Sequence, residues 1–369
     1  MKNIAIINCC DWGSTGKIAL SLNSGLNQAG YSSHFYYGRG KRIKSTHTTK
    51  FETDIEVYIH AALAKLTGFF DSFSICATHR LINCLIHRSV DTIIILNYHD
   101  YYLNINMLLD YANRSNIKVV YLMIDNYAYT ARNKFLYNRK LRRYQNSNNI
   151  LFVGPQFVID SAKETIFGSY MRMEPLDEAI DLSLYKPSND KNIKKSLGIP
   201  EDKIIILCVA PSTNPIKGAR FFTEMAKSFA DDDKYHFIHI GYRDNDTSFL
   251  PNNYTPISFV KENKDLAKYY SVADLFVFPS LVDTMSNTCL EALACGTPLL
   301  VFKISGMPYL MDETVGTMVE AENVAALVNE VRKTKPKTSS QIETCRKYAE
   351  LRYDNRVYLK KLINIIEKN

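Results

Sequence analysis

The chain has 369 residues, 46% of them hydrophobic and 22% charged, with a net charge of +7. That length is too great for one ordinary core and points to two domains, and the composition is globular, which excludes disordered and collagen-like chains. No apolar run approaches the roughly 20 residues of a membrane span, the run after Met1 is too short for a signal peptide, and no nucleic-acid motif accompanies the basic excess.

In chain order, residues 4–8 form an apolar stretch predicted as a buried strand, and residues 17–29 carry Ile18, Leu22 and Leu26 on one helical face. Between them, Asp11-Trp12-Gly13-Ser14-Thr15-Gly16-Lys17 is a glycine-bearing turn. It lacks both the Walker and the G-x-G-x-x-G spacing, so it reads either as a plain strand-to-helix turn or as a loop that holds an anion at a helix start. Strands are predicted at 34–37, 92–96, 119–123 and 150–153, and helices at 57–66, 77–87, 104–113 and 159–166. A Pro-, Ser-, Asn- and Lys-rich link covers 183–200. A second alternation follows, with strands at 204–209, 235–240, 275–278 and 299–302 and helices at 219–229, 264–271, 324–333 and 344–367. Repeated βα alternation builds doubly wound parallel sheets. The expected fold is α/β, with Rossmann-like domains at 1–185 and 186–345 and a C-terminal helix, 346–369, packing back on the first domain.

The basic excess lies in the first 185 residues, which hold 20 Lys/Arg against 15 Asp/Glu. It concentrates in Arg39-Gly40-Lys41-Arg42-Ile43-Lys44 and Arg139-Lys140-Leu141-Arg142-Arg143. Each run is either a solvated face or a patch for an anionic membrane surface or a diphosphate-linked acceptor. The eight cysteines are scattered, without a C-x-x-C pair, which predicts buried thiols in a reducing cytoplasm.

The most informative stretch is 279–300, PSLVDTMSNTCLEALACGTPLL. It reads as a strand end, a loop with Asp283, a helix with Glu291, a Gly296-Thr297-Pro298 stop and another strand. Ligands of open α/β sheets bind beyond the carboxyl ends of the strands. A helix N-terminus there presents free N–H groups to an anion, and Glu291, one turn in, can accept hydrogen bonds from hydroxyls beside it. A phosphate flanked by hydroxyls describes a nucleotide sugar.

This stretch resembles the C-terminal motif of retaining GT-B glycosyltransferases of the GT4 family, glycosyl transferases group 1, with Asp283 in place of the usual first Glu. The resemblance continues in GSTGKIA after the first strand, in VDTIIILNYHDYYLN, where His99 falls on the second His of an HN-x-H pattern, and in the Asn214-Pro215-Ile216-Lys217-Gly218 turn. It implies two Rossmann-like domains facing across a cleft. It assigns Lys217 to the donor diphosphate, Asp283 to the transferred sugar and Glu291 to the ribose hydroxyls. The main chain of Met285, Ser286, Asn287 and Thr288 would hold sugar and phosphate, with Gly13, Ser14, Thr15 and Gly16 near the donor phosphates and the acceptor. Two positions depart from the family: Ile124 replaces a His before Asp125, and Ser212 replaces an Arg five residues before Lys217. His99 is the candidate replacement for the first, and Arg220 is either a substitute for the second or a surface arginine.

The resemblance implies a cytoplasmic, metal-independent, retaining transferase without a resident cofactor. It would move sugar from a UDP- or GDP-sugar to a glycan or lipid-linked acceptor in O-antigen, capsule or exopolysaccharide assembly, peripheral at the inner face of the plasma membrane. The alternatives are a sugar-nucleotide epimerase on the same fold and a degenerate scaffold that binds a partner transferase.

Overall fold

A computed structural model describes residues 2–41, 45–189 and 192–368; Arg42, Ile43 and Lys44 of the first basic run lie outside the described residues. The chain divides into two compact units, Met1–Leu176 with Leu359–Asn369, and Asp177–Tyr358. The sequence reading places the division after residue 185.

The first unit runs β1 (Asn3–Cys10), α1 (Gly13–Gln28), β2 (Ser32–Arg39), β3 (Thr48–Lys50), α2 (Asp54–Thr67), α3 (Ile75–His87), β4 (Thr92–Ile95), α4 (Ile105–Arg114), β5 (Lys118–Leu122), α5 (Lys134–Gln145), β6 (Ile150–Gly154), α6 (Gln156–Lys163) and β7 (Met173–Pro175). Its sheet has the order β3-β2-β1-β4-β5-β6-β7 and every pairing is parallel. Strands such as Thr92–Ile95 are buried at every position because helices cover both faces. The order reverses between β1 and β4, which leaves their carboxyl ends uncovered by a crossover.

The second unit runs α7 (Asn192–Ser196), β8 (Ile204–Val209), α8 (Ala219–Lys227), β9 (Tyr235–Ile240), β10 (Tyr254–Ile257), α9 (Asn263–Val272), β11 (Leu275–Phe278), α10 (Asn287–Ala294), β12 (Leu299–Phe302), α11 (Met307–Leu310), β13 (Gly316–Val319), α12 (Val324–Lys333) and α13 (Ser339–Tyr353). Its parallel sheet has the order β10-β9-β8-β11-β12-β13, with the switch between β8 and β11. Along β8 alternate residues enter different cores: Ile204, Ile206 and Cys208 on one face, Ile205 and Leu207 on the other. The last helix, α14 (Asn355–Glu367), starts in the second unit and ends in the first.

Several elements differ from the sequence reading. The expected 344–367 helix is two helices broken at Asp354, whose backbone is extended. The break allows Ile180 to pair with it, through Ile180 N to Tyr353 O at 2.8 Å and Asn355 N to Ile180 O at 3.3 Å. Helix α5 has no counterpart in the sequence reading, because its buried positions are Lys140, Arg143 and Tyr144, which show no apolar period. The second basic run is therefore not a solvated face throughout. Edge strands β3, β7, β10 and β13 are short and were not expected. Six cysteines are buried, but Cys76 is exposed and Cys84 half-buried, and all eight are free thiols. Among the described residues no helix is long and apolar enough to cross a membrane.

Phe152 on β6 is fully buried against Tyr121, Tyr144 and Phe167, with ring centroids at 5.6, 5.0 and 4.8 Å. Truncating a buried aromatic removes both burial and packing. Phe152→Ala should destabilise the first unit by about 3–5 kcal/mol, measured as the loss of amide-exchange protection on β5 and β6.

Candidate active site

In the second unit the switch between β8 and β11 brings the sequence-predicted residues together. After β8, Asn214 turns the chain by accepting a hydrogen bond from Ile216 N at 3.1 Å, and Pro215–Lys217 form a single 3-10 turn. Gly218 then adopts φ +66, and a Cβ there would lie 1.8 Å from the carbonyl oxygen of Pro279. Only glycine allows this approach. Leu281 N donates to Ile216 O at 2.8 Å and Ser280 Oγ to the same oxygen at 3.2 Å, so the turn is stitched to the end of β11. As a result Lys217 Nζ reaches Asp283 Oδ2 at 2.7 Å, across 66 residues of sequence. Gly306 N donates to Asp283 O at 3.3 Å, which gives the Ser305-Gly306-Met307-Pro308 turn a place in holding the acid loop.

Helix α10 starts beside this pair. Ser286 is its N-cap, accepting from Cys289 N at 3.4 Å and bonded to Thr288 Oγ1 at 3.0 Å. Asn287 and Thr288 occupy the first turn, where N–H groups have no intrahelical partner. The Met285 side chain is buried in the core, so only its main chain remains for a ligand. Glu291, one turn on, accepts from Tyr270 Oη at 2.7 Å. Burial, then the Glu291 carboxylate, push the Tyr270 hydroxyl well above its ordinary pKa, so it keeps its proton and remains a donor. Tyr185 also bonds Glu291 and is shifted upward for the same reasons.

Sequence reasoning missed three groups here. Tyr270 and Tyr185 carry no motif and are recognisable only from the fold. The partly buried carboxyl of Glu178 is pushed up to about 8 by burial, with the Asp283 and Asp177 charges adding to it. At Ser212, the hydroxyl accepts Arg243 N at 2.9 Å. Arg243 is exposed, and among the described residues its guanidinium has no partner. Arg220 is a surface residue, lying over Phe221 and 3.8 Å from Glu322.

In the first unit the switch between β1 and β4 gathers the other predicted residues. Helix α1 begins at Gly13, so Gly13, Ser14, Thr15 and Gly16 form its first turn and not a loop before it. Asn8 Nδ2 holds Thr15 Oγ1 at 3.1 Å, and Gly16 packs against Asp11, where a Cβ would approach the backbone to 2.6 Å. From the end of β4, His99 Nε2 lies 3.4 Å from Asp125 Oδ2 and Nδ1 lies 3.1 Å from Asp100 Oδ1. Asp125 Oδ1 accepts Tyr127 N at 2.8 Å. The imidazole therefore sits beside the residue that follows Ile124. The buried oxygens Asn8 Oδ1, Asp11 Oδ1 and Asn97 Oδ1 have no hydrogen-bond partner among the described residues.

Residues 203–334 match the family model described as glycosyl transferases group 1, which bears out that resemblance. A D-inositol 3-phosphate glycosyltransferase from Mycobacterium sp. (strain JLS) is 22% identical over 199 residues, 47% of this chain and 44% of that protein. The chain thus matches less than half the length of that relative. Anabaena Alr3699/HepE, solved in complex with UDP, superposes with a TM-score of 0.72 at 14% identity, covering 99% of each chain. WaaG, a glycosyltransferase involved in lipopolysaccharide biosynthesis, gives 0.66 at 16% identity over 99% of this chain and 100% of its own. The fold is GT-B, two Rossmann-like domains.

Burial opposes charging of His99, but its bonds to Asp100 and Asp125 outweigh that and raise it to about 9. This folded value lies above the ordinary 6.5, so the charged ring stabilises the fold fully below about 6.5 and the contribution is lost as pH rises through about 9. In an NMR titration Asp125→Asn should lower the His99 pKa by at least about one unit; an unchanged value would show that Asp125 does not hold the ring.

Proposed function

We propose that this GT-B chain, whose second unit matches the group 1 glycosyltransferase model, transfers a sugar from a nucleotide sugar to a glycan or lipid-linked acceptor with retention and without a metal. The observation that carries this is the Lys217–Asp283 pair at the β8/β11 switch, set beside the α10 N-terminus and Glu291. In this reading the diphosphate of a UDP- or GDP-sugar lies on Lys217 and the first-turn N–H groups of α10. Lys217 exchanges Asp283 for phosphate, which frees Asp283 to take a hydroxyl of the sugar. Glu291, oriented by Tyr270, accepts the ribose hydroxyls. Arg243 supplies the second cation that Ser212 cannot.

The reaction breaks the C1–O bond to phosphate and forms a C1–O bond to the acceptor on the same face. The acceptor proton passes to the departing phosphate oxygen, so no separate carboxylate base is needed. Preorganised cations and helix N–H groups aimed at the leaving charge supply the main stabilisation. The first unit takes the acceptor: Asn8, Asp11 and Asn97 offer unpaired buried oxygens that hydroxyl donors would satisfy. His99 stands in for the family histidine replaced by Ile124. O-antigen, capsule or exopolysaccharide assembly at the inner face of the plasma membrane is the pathway proposed, in line with the lipopolysaccharide role named for WaaG.

A panel of UDP-, GDP-, ADP- and dTDP-sugars, read by thermal stabilisation, tests the donor assignment. One nucleotide class should raise the melting temperature, consistent with about 2.7 kcal/mol at one hundred times Kd. Glu291→Ala should abolish the shift and Arg243→Ala should weaken binding about tenfold, or 1.4 kcal/mol. If no nucleotide binds, the scaffold alternative gains; if the sugar is interconverted without an acceptor, the epimerase does. With donor and acceptor present, Lys217→Ala should lower kcat about 10²–10³-fold with the fold intact.

A further inference from the structure

The end of β1 carries two neighbouring thiols that the site above does not use. Strand pairing with β4 stops at Ile7, whereas pairing with β2 runs on to Cys10, so residues 9 and 10 are held from one side only. Successive side chains of a regular strand point to opposite faces. Here the unpaired side lets the two sulfurs turn toward each other, and Cys9 Sγ donates to Cys10 Sγ at 3.5 Å. Among the described residues no other two cysteine sulfurs are bonded to each other. Cys10 Sγ in turn donates to the carbonyl of Trp12 at 3.1 Å. Trp12 is the N-cap of α1 and supplies no side-chain cap. The Cys9 thiol also bonds the Asp100 carboxylate, a lesser cause of that acid's lowered pKa after its bond to His99. The two thiols therefore tie the end of β1 to the start of α1 and to the His99 loop.

The thiols are not equivalent. The bond from Cys9 holds Cys10 below the ordinary thiol value, against burial and the charges of Asp11 and Asp100. Cys9 is pushed up by the same bond and by burial. A readily ionised thiol beside a protonated one is the arrangement of a reacting and a resolving cysteine. Both are buried, with 5 and 7% exposure, which admits a small peroxide in preference to a bulky disulfide. Consecutive Cα atoms lie about 3.8 Å apart, short of the roughly 4.4–6.8 Å of ordinary disulfides. A disulfide between neighbours is therefore strained and easily reduced, which suits a switch and not a permanent cross-link. The geometry points to Cys9-Cys10 as a reversible oxidation site for hydrogen peroxide that releases the start of α1 from β1. The Cys10 thiolate attacks one peroxide oxygen, the O–O bond breaks, and a sulfenic acid and hydroxide form. The Cys9 sulfur then attacks the sulfenic sulfur, the S–S bond forms, and the sulfenic oxygen leaves with the Cys9 proton as water. Hydroxide takes the proton that Cys10 lost, so two thiols are oxidised, one peroxide is reduced and two waters leave. Neither sulfur then keeps a proton for Trp12 O or Asp100. Control of transfer rests on the function proposed above; the oxidation site itself stands on the sulfurs.

A Cys76→Ser parent, which removes the exposed thiol, tests this in the full chain. Trp12 is the chain's single tryptophan, so its emission reports the α1 start directly. With limiting hydrogen peroxide, peptide mass mapping should find residues 9 and 10 lighter by two hydrogens and closed to alkylation. Tryptophan emission should change in step, and dithiothreitol should restore both. Cys9→Ser should stop at a Cys10 sulfenic acid trapped by dimedone, and Cys10→Ser should leave Cys9 unoxidised. In each variant the serine hydroxyl keeps the donor, so the fold is retained. Oxidation should slow transfer about tenfold or more and leave the thermal shift given by the nucleotide sugar unchanged. If residues 9 and 10 stay open to alkylation, or Cys9 oxidises equally well in Cys10→Ser, the site is overturned. A disulfide with unchanged emission would overturn the link to α1, and equal transfer by both forms would overturn the control of transfer. If the disulfide forms and reverses as expected while the reduced protein moves no sugar, the oxidation site stands and the transfer reading falls.

Discussion

The candidate chemistry of the second unit depends on one close approach, that of the Lys217-Gly218 turn to the end of β11. A side chain at Gly218 would collide with the Pro279 carbonyl, and its φ of +66 would be strained for any other residue. The parallel sheet creates the opening, because crossovers leave the β8/β11 switch in opposite directions. Glycine then lets the backbone close across that opening until Ile216 O meets Leu281 N and Ser280 Oγ. Lys217 and Asp283 become partners through the packing of their backbones, and neither helix position nor local sequence would bring them together.

The molecule treats its ion pairs in two ways. Lys217 and Asp283 keep 34% and 14% of their side chains exposed. A pair in that setting contributes on the order of 1 kcal/mol, so a ligand with stronger charge can separate it. Arg143 and Asp71 keep only 5% and 8%, and Arg143 is fixed further by Asn106. Removing one member of such a pair leaves the other's buried charge only partly compensated. The first arrangement suits a site that must exchange partners during turnover. The second suits a framework that must keep its shape.

The same contrast explains what could be read in advance. Strands β4, β8, β11 and β12 were legible because they are continuous apolar runs; Asp283 and Glu291 stood out as acids beside a strand end and a helix start, and Lys217 through the resemblance of its turn to a family motif. Helix α5 was not legible, since it buries Lys140 and Arg143 and shows no apolar stripe. The break at Asp354 depends on Ile180, 174 residues earlier, and nothing local announces it. Tyr270 and Glu178 reach the site only through the tertiary fold. The glycine-bearing turn differs for another reason: Gly16 is helical because only a missing Cβ lets α1 start against Asp11, so the helix begins four residues before its apolar period does.

The His99 loop carries the reading of the first unit a step further. Asp100 and Tyr101 both have left-handed backbones, with φ of 73° and 64°. Each such residue costs on the order of 1–3 kcal/mol, and a fold keeps two in succession only if its surroundings over-determine them. Those surroundings are visible: Tyr101 is set between the rings of His60 and Phe70, Tyr102 donates to the carbonyl of Asn97, and Tyr98 is bonded to Tyr144. The effect is to hold His99 between the carboxylates of Asp100 and Asp125. A loop held in strain by these aromatic contacts, with an Asn97 oxygen at its start that has no partner among the described residues, is costly as a simple connection between β4 and α4. It is explained if the position of His99 is what the strain secures.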